Sequence, residues 1–284
     1  MLPCPFILND GADSANDLCL ESPQLEALLQ QVDPLRTAVD VMEALCNDVT
    51  FEFSASGLQV ESLDTHRVAL VSFMLRAPAF ADFRCDHPTS VGVSPNSGLG
   101  SLTQALRECG SAGSVTFRML PDSEIVKVHC DHGGTVRDSA LELSVSSSDR
   151  MHMSIPDFRY TAKAQISSVA FQQACRNLSE VGDKLQVTAT MEGIVLSVPG
   201  SAERCFFTQL ADAPPSESAI MTVHEPVSAT FSLRYSSIFA KAAPLSTEVG
   251  RSTSSDLRIA SVCGRIHGFP LEPYIVRAVV MCLV

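Results

Sequence analysis

Two identical triplets, Cys85-Asp86-His87 and Cys130-Asp131-His132, are the residues of this chain best equipped for chemistry. Thiolate, carboxylate and imidazole groups hold zinc, so the pair raises the prospect of a metal-dependent enzyme. The spacing argues against it, because neighbours along a strand point to opposite faces. The sequence carries no GxSxG, no GxxxxGK[ST] and no HExxH. The glycines of Ser97-Gly98-Leu99-Gly100-Ser101 do not make a dinucleotide fingerprint. The expectation is therefore a protein without catalytic residues, metal or cofactor. Ten cysteines form no CxxC pair, which suits reduced thiols of the cytosol or nucleus rather than a disulfide framework.

The elements around these residues say more. Of 284 residues 45% are hydrophobic, enough for a large core, and the absence of Trp makes that core aliphatic and Phe-based. A net charge of −12 means that any contact with nucleic acid needs a local basic patch. No apolar run is long enough to cross a membrane as a helix, and the opening residues lack the basic start of a signal peptide. The sequon Asn177-Leu178-Ser179 falls in an expected helix and is discounted.

The chain also repeats itself at a separation of 136 residues. Leu35, Ala38, Val39, Met42 and Leu45 match Phe171, Ala174, Cys175, Leu178 and Val181. This is the spacing of one helix face. Val49, Phe51 and Phe53 then match Leu185, Val187 and Ala189, alternating as half-buried strands do. Gly57 matches Gly193 at a turn, and Leu58 and Val60 match Ile194 and Leu196. Each half begins helix, strand, turn, strand, so the repeat is a duplicated domain.

Asp33-Pro34 reads as a helix start, with Asp33 the cap, and Ser168 reads as the cap of the second copy, closed by Gly182. Further helices are expected over Leu99–Cys109 and Ser236–Ala243. Strands are expected at Val68–Leu75, Val115–Met119, Ile125–Cys130, Phe206–Leu210 and Val227–Leu233. The fold class is α+β, antiparallel sheets with a few helices on one face. Residues 1–24 read as a poorly ordered extension, 25–140 as the first domain, 141–160 as a linker and 161–284 as the second domain.

Several short segments carry a resemblance. They are Ser62-Leu63-Asp64, Phe83-Arg84-Cys85-Asp86, Leu178-Ser179-Glu180-Val181-Gly182-Asp183, Glu225-Pro226-Val227, Phe231-Ser232-Leu233-Arg234-Tyr235 and Lys241-Ala242-Ala243-Pro244-Leu245-Ser246. In order and spacing they resemble the eukaryotic proliferating cell nuclear antigen family of sliding clamps, from about Leu25 to about Val276. The resemblance implies the DNA-clamp fold: a homotrimeric ring, sheets outside, helices lining a central hole. It also implies a linker that helps form a pocket for a partner motif of glutamine, an aliphatic residue and two aromatics.

Carried over position by position, the family's DNA-facing cations fall on Arg36, Arg107, Arg176, Arg234 and Lys241. Gln104, Gln173 and Glu180 stand at positions that are basic in the family, as does Glu43. Asp40, Glu43, Glu108 and Glu180 oppose the five cations, leaving these helix faces close to neutral. The pocket positions are Leu63, Met153, Ile155, Pro156, Tyr274 and Ile275. Arg67, beside His66, stands where the family often has a histidine. Val276-Arg277-Ala278 replaces the family's Ala-Pro-Lys. The subunit interface is expected at Val126 and Val128 of one strand and Cys205 and Phe207 of another.

The resemblance implies a nuclear tether for replication and repair proteins, with partners in duplex DNA, DNA polymerase and other clamp-binding-motif proteins, and a clamp loader. Two alternatives stay open at this point: a subunit of a heterotrimeric checkpoint clamp, and a divergent interaction scaffold that does not encircle DNA.

Overall fold

The computed structural model describes residues 22–93, 99–110, 113–131, 139–144, 162–208, 219–242, 248–253, 259–265 and 274–281. The first half runs β1 (Leu25–Leu29), α1 (Asp33–Leu45), β2 (Val49–Ser54), β3 (Gly57–Leu63), β4 (Ala69–Arg76), β5 (Asp82–Cys85), β6 (Thr89–Val93), α2 (Leu99–Cys109), β7 (Ser114–Met119), β8 (Ile125–Asp131) and β9 (Ser139–Ser144). The second half repeats that order as β10 (Ala162–Ser167), α3 (Ser168–Ser179), β11 (Lys184–Ala189), β12 (Gly193–Ser197), β13 (Arg204–Thr208), β14 (Ala219–Val223), β15 (Val227–Ser232), α4 (Leu233–Ala240), β16 (Glu248–Thr253), β17 (Ile259–Arg265) and β18 (Tyr274–Met281).

The repeat extends to register. Phe53 faces Leu58 and Phe51 faces Val60 across β2 and β3, while Ala189 faces Ile194 and Val187 faces Leu196 across β11 and β12. Both pairs preserve the separation read from the sequence. Gly57 has a φ of +130°, and a Cβ there would strike the Leu75 carbonyl on β4. A Cβ on Gly193 would stand 2.5 Å from the Phe207 carbonyl on β13. The repeated glycine therefore serves close approach by the next strand as well as the turn.

Three antiparallel sheets result, with orders β5-β1-β7-β8-β9, β14-β10-β16-β17-β18-β4-β3-β2-β6 and β13-β12-β11-β15. The longest joins the two halves through β18 and β4, with Tyr274 opposite Leu75 and Val280 opposite Ala69. Apolar faces of the sheets meet in one core, in which Phe51, Phe53, Phe73, Phe117 and Phe171 are fully buried. Phe53 of the long sheet packs on Phe117 of the five-stranded sheet with ring centroids 5.3 Å apart. Such a tilted pair adds about 0.5–1.5 kcal/mol to the area it buries.

The helices form one layer in the order α2, α1, α4, α3, each packed on the next. Leu35, Ala38, Val39 and Met42 bury one stripe of α1, and Phe171, Ala174, Cys175 and Leu178 bury the matching stripe of α3.

Several boundaries differ from the sequence expectation. Val32, not Asp33, precedes α1: its burial in the core draws the chain into helical geometry one residue early, and its carbonyl accepts from the Arg36 N–H. Ser167 caps α3, its hydroxyl accepting from the Ala170 N–H, while Ser168 is buried at the first helical position. Helix α4 starts at Leu233, because Leu233 and Phe239 anchor its buried face. Residues 141–144 belong to β9 and not to a linker, since they pair with β8.

Candidate DNA-facing helix layer and subunit edges

All five expected cations lie on the helix layer. Arg36 and Arg107 are already engaged. Arg36 Nη2 is 2.5 Å from Asp33 Oδ1 on its own helix. Arg107 crosses from α2 to α1, where Nη2 and Nε donate to Asp40 Oδ1 at 2.6 and 3.1 Å. Glu43 lies 3.7 Å from the same guanidinium. Arg176, Arg234 and Lys241 are exposed and make no ion pair among the described residues. Gln104 and Gln173 hydrogen-bond along their own helices, to Glu108 at 2.9 Å and Asn177 at 2.7 Å.

One contact ties the halves together near this layer. Asp64, in the β3–β4 turn, is nearly inaccessible and accepts backbone N–H bonds from His66, Val68 and Ala69 at 2.7–2.9 Å. Tyr235 of α4 donates its hydroxyl proton to Asp64 Oδ2 at 2.6 Å. Burial alone would raise this carboxyl, but the bonds from Tyr235 and the three N–H groups outweigh burial and lower it. Sequence reading noticed both residues only as parts of short matching segments.

The interface expectation needs correction. Strand β8 lies between β7 and β9, so it is not an edge. Val126 and Val128 point into the core and are fully buried there, and Phe207 is buried too. Cys205 is half-buried against the same core. Arg204 and Phe206 are the exposed side chains on β13, and the Phe206 ring covers Gly193. Alternation with period two found β8 from Ile125 and set β13 two residues late, at Phe206–Leu210 against Arg204–Thr208, and it did not tell which of their faces looks inward. In the described sheets the strands at an end that correspond to the β18–β4 junction are β9 and β13.

Of the pocket positions, Met153, Ile155 and Pro156 lie outside the described residues. Leu63 ends β3, half-buried, opposite Leu70 of β4. Tyr274 and Ile275 open β18 opposite Leu75 and Met74. The backbone therefore sets them about 17 and about 13 Å along β4 from the level of Leu63, at about 3.3 Å per residue. Val279, not Tyr274, is level with Leu63.

The first triplet does not converge on a common point. Cys85 Sγ donates to the His87 carbonyl at 3.1 Å, and Asp86 takes two bonds from Arg84 at 2.9 and 3.1 Å. In the second, Cys130 is buried in the core and His132 lies outside the described residues. Burial pushes the Cys46 thiol up to about 11 and the Cys130 thiol up to about 12, and raises Cys85, Cys109 and Cys205. These five thiols are poor nucleophiles at neutral pH.

Comparison with protein families gives two matches in succession. Residues 24–151 match the family described as "Proliferating cell nuclear antigen, N-terminal domain". Residues 154–262 match "Proliferating cell nuclear antigen, C-terminal domain". The second match ends before β18, where the sequence also departs from the family pattern. Two clamp domains in order, on a duplicated fold of antiparallel sheets with four described helices, identify the chain: it belongs to the proliferating cell nuclear antigen family of sliding clamps.

Proposed function

We propose that this protein is a homotrimeric sliding clamp that encircles duplex DNA and holds replication and repair proteins beside it. The observation that carries this reading is the β18–β4 junction. By the internal repeat, β9 occupies the place of β18 in the first half, and β13 that of β4 in the second. An unpaired strand edge invites another strand. Pairing β9 of one copy with β13 of the next would rebuild the same junction between subunits. Repeating that step around three subunits closes a ring and leaves neither edge free.

Its action needs no bond chemistry. A closed ring is retained by topology, and a bound polymerase gains a high effective concentration at its template. Opening the ring to admit DNA is work for an ATP-driven loader, and the nucleus is the compartment this role requires. Partner proteins dock through the glutamine–aliphatic–aromatic motif beside Leu63. If Leu63 is a buried anchor of that site, Leu63→Ala weakens a motif peptide by roughly 1–3 kcal/mol.

Light scattering of the purified chain tests the ring, with a mass about three times 30.4 kDa expected. A monomer persisting at tens of micromolar refutes it. Retention on nicked circular DNA, lost on linearisation, tests encirclement.

A further inference from the structure

The helix layer contains two seams related by the internal repeat, α1 against α2 and α3 against α4. Their exposed stripes differ in charge. On α1, Asp40 and Glu43 flank the seam and hold Arg107 of α2. The separation of the repeat places Arg176 at the position of Asp40, and Ser179 at that of Glu43. The first seam is therefore an acid–base closure within the chain.

The second seam carries three cations, Arg176, Arg234 and Lys241, against one carboxylate, Glu180 at the end of the α3 stripe. On α3, Gln172, Arg176 and Ser179 share one face by their spacing, and on α4 so do Arg234, Ser237 and Lys241. Two hydrogen bonds bring these faces together. The Ser179 and Ser237 hydroxyls lie 3.0 Å apart, and the Gln172 amide donates to the Ala240 carbonyl at 3.1 Å. Arg176, Arg234 and Lys241 thus lie exposed along the same seam. Glu180 is the nearest carboxylate along α3 and makes no ion pair with Arg176 among the described residues.

We propose that the α3–α4 seam alone supplies the phosphate contacts of this clamp, through Arg176, Arg234 and Lys241, while the α1–α2 seam is closed by its own carboxylates. This rests on the reading of the helix layer as the DNA-facing surface. The occupant is the phosphate backbone of duplex nucleic acid. In a chain of net charge −12, three cations along one seam that make no ion pair among the described residues form a local attraction for a polyanion. Two carboxylates beside Arg107, at 2.6 and 3.7 Å, offset its charge, so this arginine adds little net attraction for a phosphate.

The test is anisotropy of a short fluorescent duplex with the full chain, titrated over a range of salt. The slope of log affinity against log salt counts phosphate contacts, at about 0.9 per contact. Arg176→Ala, Arg234→Ala and Lys241→Ala should each flatten the slope, with trimer mass and circular dichroism unchanged. Asp40→Asn combined with Glu43→Gln should release Arg107 and steepen it. In that background Arg107→Ala should restore the original slope. If duplex binds but the three single variants keep the wild-type slope, the seam assignment is overturned and the DNA reading stands. If wild type shows no salt-dependent duplex binding even at low ionic strength, the DNA reading itself fails and the proposal with it. Displacement by poly-glutamate as effective as by unlabelled duplex would assign the seam to acidic polypeptide and overturn the proposal.

Discussion

Replacing Tyr235 by Phe tests a hydrogen bond that links the two halves of the chain. The ring stays and only its donor to Asp64 Oδ2, at 2.6 Å, is lost. The Asp64 side chain is 1% exposed, so water does not readily replace that donor. A hydrogen bond to a buried charged group contributes about 1.5–3 kcal/mol. At about 2–4 °C per kcal/mol for a large domain, the melting temperature near neutral pH should fall by about 3–12 °C. The sign of the pH dependence follows from Asp64. Its folded pKa lies below the ordinary 3.8, so the stability it confers is fully present above 3.8. That stability is lost as pH falls through the lowered folded value. In Tyr235→Phe the folded pKa moves up, because burial is offset by fewer bonds. The gap between wild type and variant should therefore be widest near about pH 7 and narrow in acid, toward the roughly 1 kcal/mol of a neutral bond. Thermal melts followed by circular dichroism at about pH 7 and about pH 3 measure both gaps. A gap below about 0.5 kcal/mol at neutral pH, or one unchanged in acid, refutes the reasoning.

Other perturbations separate folding from assembly. Val126→Arg and Phe207→Arg place an unpaired charge in the core, at several kcal/mol, and should yield protein degraded rapidly in limited proteolysis. Phe206→Arg changes an exposed ring at the open β13 edge, and should leave a protease-resistant subunit of reduced mass in light scattering. Gly57→Ala should lower stability in thermal melts by at least about 1 kcal/mol, because a φ of +130° and the Leu75 carbonyl leave no room for a methyl group. Buried Cys46 and Cys130 should resist thiol reagents near neutral pH until the chain unfolds, while the partly exposed Cys85 and Cys205 label ahead of them, as peptide mapping will show.

The duplication was legible because it is written in apolar spacing. Leu35, Ala38, Val39 and Met42 had to share a face, and the same face recurs from Phe171 to Leu178. Strands such as β2, β3, β11 and β12 follow from alternation and a shared glycine. Strand β1 was missed because Leu25–Leu29 is short and the run Ala27-Leu28-Leu29 hides its alternation. The interface residues were misplaced for a different reason. Periodicity separates the two faces of a strand without saying which is inside, and edge status depends on β9, whose serine-rich continuation read as linker. Charge pairing across helices was also illegible. Arg107 and Asp40 are 67 residues apart, and nothing along the chain announces that they meet.

The contrast between the two seams follows from how a duplicated domain is constrained. Buried positions of α1 and α3 must keep their shape, since losing a large core side chain costs about 2–5 kcal/mol. The exposed stripe has no such obligation, and there Asp40 stands opposite Arg176 in the repeat. A clamp gains from leaving one seam neutral. Each added phosphate contact raises affinity, and contacts that must break together slow movement along the duplex. A ring already held by topology needs only enough cationic surface to keep the duplex near one set of helices. At physiological salt those contacts act over about 8 Å, so they steer locally and exchange readily. On the proposed reading, the carboxylates of α1 ease sliding by offsetting the charge of Arg107 and so lowering the net positive charge that the ring presents to the duplex.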